Sequence, residues 1–280
     1  MHRRAGVGTL RAMSHPAHDE LLACAVAAAE AGAKVLADRF GGERRIEHKG
    51  HIDLVTDADR AAEEAVLAVI RDRFPGHAIL AEEEGASGAS PVRWIVDPLD
   101  GTTNYAHGIP HFCTSVACEI GGRLEVGVIV DPLRGECFRA ARGRGAFLGG
   151  TRLRVTDPGA LDRAVLATGF PYWVQERTEE VLELFGAFLR RAQGVRRFGS
   201  AALDLAWVAA GRYDGFFELK LKPWDVAAGV LLVEEAGGIV TGLEGGPFDL
   251  RDGDTLAAGP ALHPLLVPVA AQARARWRGT

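Results

Sequence analysis

The stretch WIVDPLDGTTNY, residues 94–105, runs three apolar residues straight into two aspartates three apart, Asp97 and Asp100, and then into a glycine and two threonines. Trp94, Ile95 and Val96 read as a strand, and Gly101-Thr102-Thr103 as the start of a helix. Two acids at the end of a buried strand repel each other unless a cation lies between them. Hard divalent cations such as Mg²⁺ want an octahedron of oxygens, take a few carboxylates, and keep water or phosphate oxygens in the remaining positions. The segment 97–100 suits that demand. Pro98 fixes the backbone so that both aspartates can turn to one point, and the Leu99 carbonyl adds an oxygen. The amides and hydroxyls of Gly101, Thr102 and Thr103 then offer a seat for a phosphate.

Acids recur at comparable places along the chain. DLVTDAD (53–59) holds Asp53, Asp57 and Asp59; Glu82, Glu83 and Glu84 follow a short expected strand at 78–81; Asp225 opens an expected helix at 225–236 stopped by Gly237-Gly238. Each group reads as preceding or opening a helix, so each has a plain alternative reading as an N-cap or first-turn acid. Four groups together, with the 97–103 spacing, point to a metal site.

The remaining pattern interleaves helices and strands without linker or repeat. Helices are expected over 21–40, over 60–74 with Ala62, Val66, Val69 and Ile70 on one face, over 181–192 and over 201–210. Segments 114–120, 125–130 and 136–140 read as an antiparallel meander, and 215–219 as extended.

At 280 residues and 48% hydrophobic content the chain can bury a large core as one domain or two lobes. A net charge of −5 gives no global basic field for nucleic acid, so an anion would need a local inversion of charge by bound cations. Cys24, Cys113, Cys118 and Cys137 show no CxxC and read as buried thiols of a cytoplasmic protein. No run reaches the ~20 apolar residues of a membrane span. The division expected is a disordered extension over 1–18, with Met13 a candidate start, an N-terminal lobe over 19–150 carrying most acids, and a C-terminal lobe over 151–280.

WIVDPLDGTTNY together with KPWDVAAGVLLVEEAGG (222–238) resembles the paired signatures of the inositol monophosphatase family, lithium-sensitive magnesium-dependent sugar phosphatases. DLVTDAD, AEEEG (81–85) and FGSAALDL (198–205) are similar to that family's first acidic loop, glutamate loop and substrate loop, in order across residues 21–258. The resemblance implies an α+β, layered αβαβα sugar-phosphatase fold and a homodimer. It implies that Glu82, Asp97 and the Leu99 carbonyl bind one Mg²⁺ and that Asp97, Asp100 and Asp225 bind a second, with a third held mainly by Glu82. Thr102, polarised by Asp59, and Glu82 would orient the attacking water, and the Gly101 and Thr102 amides would hold phosphate. Gly199, Ser200, Ala201 and Glu218 would hold the polyol, and Asp53 would support its loop. GFPY (169–172) and ELKLKPWD (218–225) look most like the bacterial inositol-1-monophosphatase branch. The expected reaction is therefore hydrolysis of inositol 1-phosphate, with histidinol phosphate, fructose 1,6-bisphosphate and 3′-phosphoadenosine nucleotides as alternative substrates.

Loose ends remain beside the resemblance. Asp57 is an extra acid, and Lys49 is one residue out of the expected spacing from Asp53. His107 and His111 read as packing or loop residues. Arg190, Arg191, Arg196 and Arg197 read as a solvated helix end or dimer contact. A reading of a different class, a partner of RNA or the transcription machinery, draws only on that cluster and on ARARWRG (273–279).

Overall fold

The computed structural model describes residues 18–42, 46–48 and 54–278. The expectations for the extension, for Lys49 and for Asp53 lie outside the described residues. The chain stacks five layers, and amphipathic patterning decides each. Helix α1 (His18–Arg39) buries Leu21, Cys24, Ala25, Ala28, Ala29 and Leu36, a stripe of small residues that lets it lie close to the sheet. Helix α2 (Asp57–Arg73) buries Ala58, Ala62, Val66 and Ile70 in one row, with Glu63 and Leu67 beside it. The expected Val69 lies at the rim of that stripe and is only half-buried, and Leu67 takes its place.

These two helices cover one face of an eight-stranded sheet. A short antiparallel pair, β1 (Ile46–His48) and β2 (Leu54–Thr56), precedes it. The sheet consists of β3 (Ala78–Ala81), β4 (Gly85–Ser87), β5 (Val92–Asp100), β6 (Cys113–Ile120), β7 (Arg123–Asp131), β8 (Glu136–Ala141), β9 (Gly145–Leu148) and β10 (Thr151–Arg152), in the order β10-β9-β8-β7-β6-β5-β3-β4. Strand β5 is longer than the sequence suggests. It pairs with β6 from Val92 to Asp97, breaks register between Asp97 and Asp100, and pairs again at Asp100 with Cys113. Such a bulge re-aims side chains. Trp94 is fully buried, and its indole Nε1–H donates to His77 Nδ1 at 3.1 Å, so burial leaves no unpaired donor. Glu82 to Glu84 open no helix, contrary to expectation: they form the turn between β3 and β4.

The short α3 (Thr102–Ala106) follows β5. Helices α5 (Ala201–Ala209) and α6 (Pro223–Glu235) pack against each other and fill the middle layer. Helix α6 lies on β6, β7 and β8, where a Cβ at Gly127 would stand 2.9 Å from Ala228 Cα, so only glycine allows this approach. Behind the middle layer is a five-stranded sheet of β11 (Val165–Thr168), β12 (Gly194–Arg196), β13 (Gly215–Glu218), β14 (Ile239–Thr241) and β15 (Thr255–Ala258), ordered β12-β11-β13-β15-β14. Helices α4 (Thr178–Leu189) and α7 (His263–Arg278) form the outer layer. The order α, β, α, β, α is the one expected. Three large apolar clusters lie between successive layers.

Candidate active site

Every element that reaches the site does so by its end. Strand β3 runs parallel to β5, and the Glu82 amide donates to the Val96 carbonyl at 3.2 Å, which carries Glu82 to the side of Asp97. The bulge of β5 turns Asp97 back on its own chain, where Oδ1 accepts the Leu99 amide at 2.9 Å. Asp100 leaves β5 on the side of α5: its Oδ2 accepts the Ser200 hydroxyl at 2.6 Å and the Ala202 amide at 2.7 Å. Asp225 enters from α6, where Pro223 occupies the first turn and Asp225 Oδ2 accepts the Lys222 amide at 2.7 Å.

The plain alternative of helix caps therefore holds for Asp100 and Asp225 individually. It does not account for Asp97, which caps no helix and is 1% exposed. Burial first, and then the charges of Glu82, Asp100 and Asp225, push Asp97 well above the usual carboxylate range. Burial also raises Asp100 to about 6, against the pull of its hydrogen-bond donors, and raises Asp225 well above its ordinary value, with Asp100 the next cause. Four acids thus crowd one region, Asp97 buried and Glu82, Asp100 and Asp225 half-buried around it. Among the described residues no three His, Cys, Asp or Glu side chains stand as a ready-made coordination cage. Their oxygens are engaged by amides and hydroxyls, as mutually repelling acids require, but the donor set, all hard oxygen, fits Mg²⁺.

Thr102 joins these acids to the first acidic loop. Its hydroxyl lies 3.1 Å from Asp59 Oδ1 and 2.9 Å from the Leu99 carbonyl. Both Asp59 and Thr102 are buried. Gly101 takes φ +97°, and a Cβ there would meet the His111 carbonyl at 3.0 Å and Phe112 at 3.2 Å, so glycine alone lets the chain turn into α3. Asp57 is apart from this group: exposed, it faces Arg39 at 3.4 Å.

Asp100, Gly101, Thr102, Gly199, Ser200, Ala201, Glu218 and Asp225 line one cavity of about 260 Å³. Glu82, Asp97, Leu99 and Asp59 are not part of that lining. Glu218, 5% exposed, is pushed up to about 8 by burial, partly offset by Arg197. Arg197, exposed as expected of the arginine cluster, also lines the cavity and lies 5.3 Å from the Phe170 ring centroid. Phe170, Tyr172 and Trp173 form the outer wall.

Two structural supports went unnoticed in the sequence. Asn104 Nδ2 donates to the His111 carbonyl at 2.8 Å and to the Phe198 carbonyl at 2.7 Å, tying the α3 turn to the loop before α5. Its place inside DGTTN was the available signal. Glu63 accepts the Glu83 and Glu84 amides at 2.9 and 2.7 Å and shapes the glutamate turn. A lone Glu on a helix face carries no such signal. His107 and His111 behave as expected, the first exposed at the end of α3, the second packed against Phe198 and Trp207.

Residues 17–275 match the inositol monophosphatase family. The chain belongs to that family. Its relatives include the Nus factor SuhB of Escherichia coli K12, 45% identical over 244 residues that cover 86% of this chain and 91% of the relative. Among solved structures, the extragenic suppressor protein suhB from Bartonella henselae superposes with a TM-score of 0.85 at 40% identity, covering 89% of this chain and 98% of that one. The inositol monophosphatase from Anabaena (Nostoc) sp. PCC 7120 gives 0.83 at 42% identity, with 91% and 96% covered. These likenesses make the chain a phosphatase of the inositol monophosphatase superfamily. No helix among the described residues is long and apolar enough to cross a membrane.

Proposed function

We propose that the chain is a Mg²⁺-dependent phosphomonoesterase that releases phosphate from inositol 1-phosphate. The observation that carries this reading is Asp97, buried, with the charges of Glu82, Asp100 and Asp225 all acting on it. Glu82, Asp97, the Leu99 carbonyl, Asp100 and Asp225 would hold two ions, with a third weaker one at Glu82. Bound there, Mg²⁺ supplies an activated water and neutralises charge on the phosphate and the leaving oxygen.

The chain's own groups do the rest. Thr102 donates a hydrogen bond to Asp59, which leaves its oxygen to accept from the attacking water and, with Glu82, to orient it; Glu82 takes up the water's proton as the bond from phosphorus to the polyol oxygen breaks, and that oxygen leaves with a proton from solvent. The Gly101 and Thr102 amides hold phosphate oxygens, so attack proceeds in line, opposite the polyol. Gly199, Ser200 and Ala201 lie along the ring, and the Glu218 carboxyl accepts from its hydroxyl groups. Support for a polyol comes from these groups lining the cavity and from the Anabaena relative named an inositol monophosphatase.

The test is phosphate release from inositol 1-phosphate, histidinol phosphate, fructose 1,6-bisphosphate and 3′-phosphoadenosine 5′-phosphate, with and without Mg²⁺. Preference for inositol 1-phosphate supports the reading. Preference for another ester keeps the chemistry and replaces the substrate, and no Mg²⁺-dependent release from a folded protein rejects it.

A second reading, a partner of the transcription machinery, draws on the relatives named Nus factor and on Arg190, Arg191 and Arg276, which share one groove between α4 and α7. Asp97→Asn separates the two: it removes hydrolysis and leaves a docking surface on the outer layer intact.

A further inference from the structure

Strand β11 ends in Thr168, which lies opposite Phe217 of the parallel strand β13 and donates its hydroxyl to the Phe217 carbonyl at 2.6 Å. One residue further on, that register sets Gly169 beside Glu218. The Gly169 amide donates to the Glu218 carboxyl. A Cβ built on Gly169 would overlap both Glu218 carboxyl oxygens and stand 2.5 Å from their carbon. The carboxyl therefore lies flat against the bare Cα of Gly169, in space that any side chain would fill.

The backbone does not demand a glycine here. Gly169 is not among the glycines whose φ lies in the left-handed region, so alanine could adopt its conformation without strain. Contact with Glu218 is what a methyl group would violate, and Glu218, 5% exposed, has little room to retreat. Gly169 and Glu218 both line the cavity, next to Phe170 and Tyr172. The GFPY stretch that stands out in the sequence thus supplies two rings of the cavity wall and, in Gly169, the surface on which the carboxyl rests.

We infer that Gly169 is a positioning residue that sets the pocket's preference for hydroxyl-bearing leaving groups: its amide holds the Glu218 carboxyl, and its missing side chain leaves room for that carboxyl in the cavity wall. A carboxyl already held in place gives up little freedom when it accepts hydrogen bonds from a ring. This inference rests on the assignment of Glu218 to the substrate's hydroxyls.

The experiment measures KM and kcat for wild type, Gly169→Ala, Glu218→Ala and the double variant on inositol 1-phosphate. Wild type and Gly169→Ala are also compared on cyclohexyl phosphate, which has the ring without the hydroxyls, after thermal melts have shown every variant folded. Gly169→Ala should raise KM for inositol 1-phosphate roughly tenfold, the scale of one hydrogen bond to a charged group. Its kcat, and both constants for cyclohexyl phosphate, should stay within about twofold, the spread expected of sites that do not interact. In the Glu218→Ala background the same substitution should add nothing, because the group it displaces is gone. A loss that persists in that background, or that appears with cyclohexyl phosphate, would mean that the methyl group blocks the pocket directly and overturns the inference. No loss on inositol 1-phosphate overturns it as well. If Glu218→Ala alone leaves that KM unchanged, the assignment of Glu218 to the hydroxyls has failed, and the inference falls with it. Crystal structures of wild type and Gly169→Ala decide the seat apart from any activity: a carboxyl displaced in the variant supports it, and an unmoved one overturns it.

Discussion

Asp97 and Thr102 are the residues on which the proposed chemistry turns, and they fail differently when changed. Asp97→Asn keeps the acceptor for the Leu99 amide and removes a buried charge crowded by three acids. Without Mg²⁺ this variant should melt about 2 °C or more above wild type, the shift that ~1 kcal/mol gives a chain of this size. Its hydrolysis should fall at least ~10²-fold, as for removal of a principal electrostatic group. Calorimetry and phosphate release check the two halves. Thr102→Ala leaves β5 and α3 in place but removes the hydroxyl between Asp59 and the Leu99 carbonyl. Its kcat should drop about 10²-fold with Thr102→Ser retaining most activity, the range of positioned proton transfer. Full activity in the Ala variant would remove Thr102 from the mechanism. At this scale the sequence was informative, because the 97–102 spacing places chemistry and backbone demand in six adjacent residues.

Elements bring those residues together, and here the sequence was legible unevenly. Helices α1, α2, α5 and α6 and strands β3, β6, β7, β8 and β13 follow from apolar periodicity and from glycine or proline punctuation. Helix α7 was not expected, since Pro268 inside it removes a backbone donor; the burial of Leu266, Ala270 and Ala273 against the outer face outweighs that loss. Strands β11, β12, β14 and β15, of three or four residues each, were not expected from the sequence. The tie between α3 and the loop before α5 was likewise invisible, because Asn104 and Phe198 are 94 residues apart. Asn104→Ala would leave two carbonyls short of their donor and cost ~1–3 kcal/mol. In urea the midpoint should fall with the slope unchanged, and KM should rise as Gly199 to Ala201 lose their register with Gly101. An unchanged midpoint would mean that the loops are held by other contacts.

Over the whole molecule, charge and burial set the response to pH and to cations. His111 is pushed down to about 4, by burial first and the Arg134 charge second. Between about 4 and the ordinary 6.5 it is neutral when folded and protonated when unfolded, so the stability it contributes is present above 6.5 and is lost as pH falls towards 4. His111→Gln should flatten that acid limb in a series of thermal melts. The raised acids act in the opposite sense. Asp100 near 6 and Glu218 near 8 contribute stability at low pH that is lost as pH rises through those values, so the cation-free protein should weaken from about pH 4 to 8. Mg²⁺, binding the folded chain alone, should cancel that slope. The sequence supplied the five-layer order through its resemblance and the acids through their spacing, but not their crowding, which arises only when β3, β5 and α6 end at one point. The most direct test is a calorimetric titration of Mg²⁺ into the wild type and into Asp97→Asn at neutral pH. Binding by the wild type, with a matching rise in melting temperature, and its loss in the variant are the results predicted here. No binding by the folded wild type, or equal binding by both, would contradict the assignment of these carboxylates to a cation site.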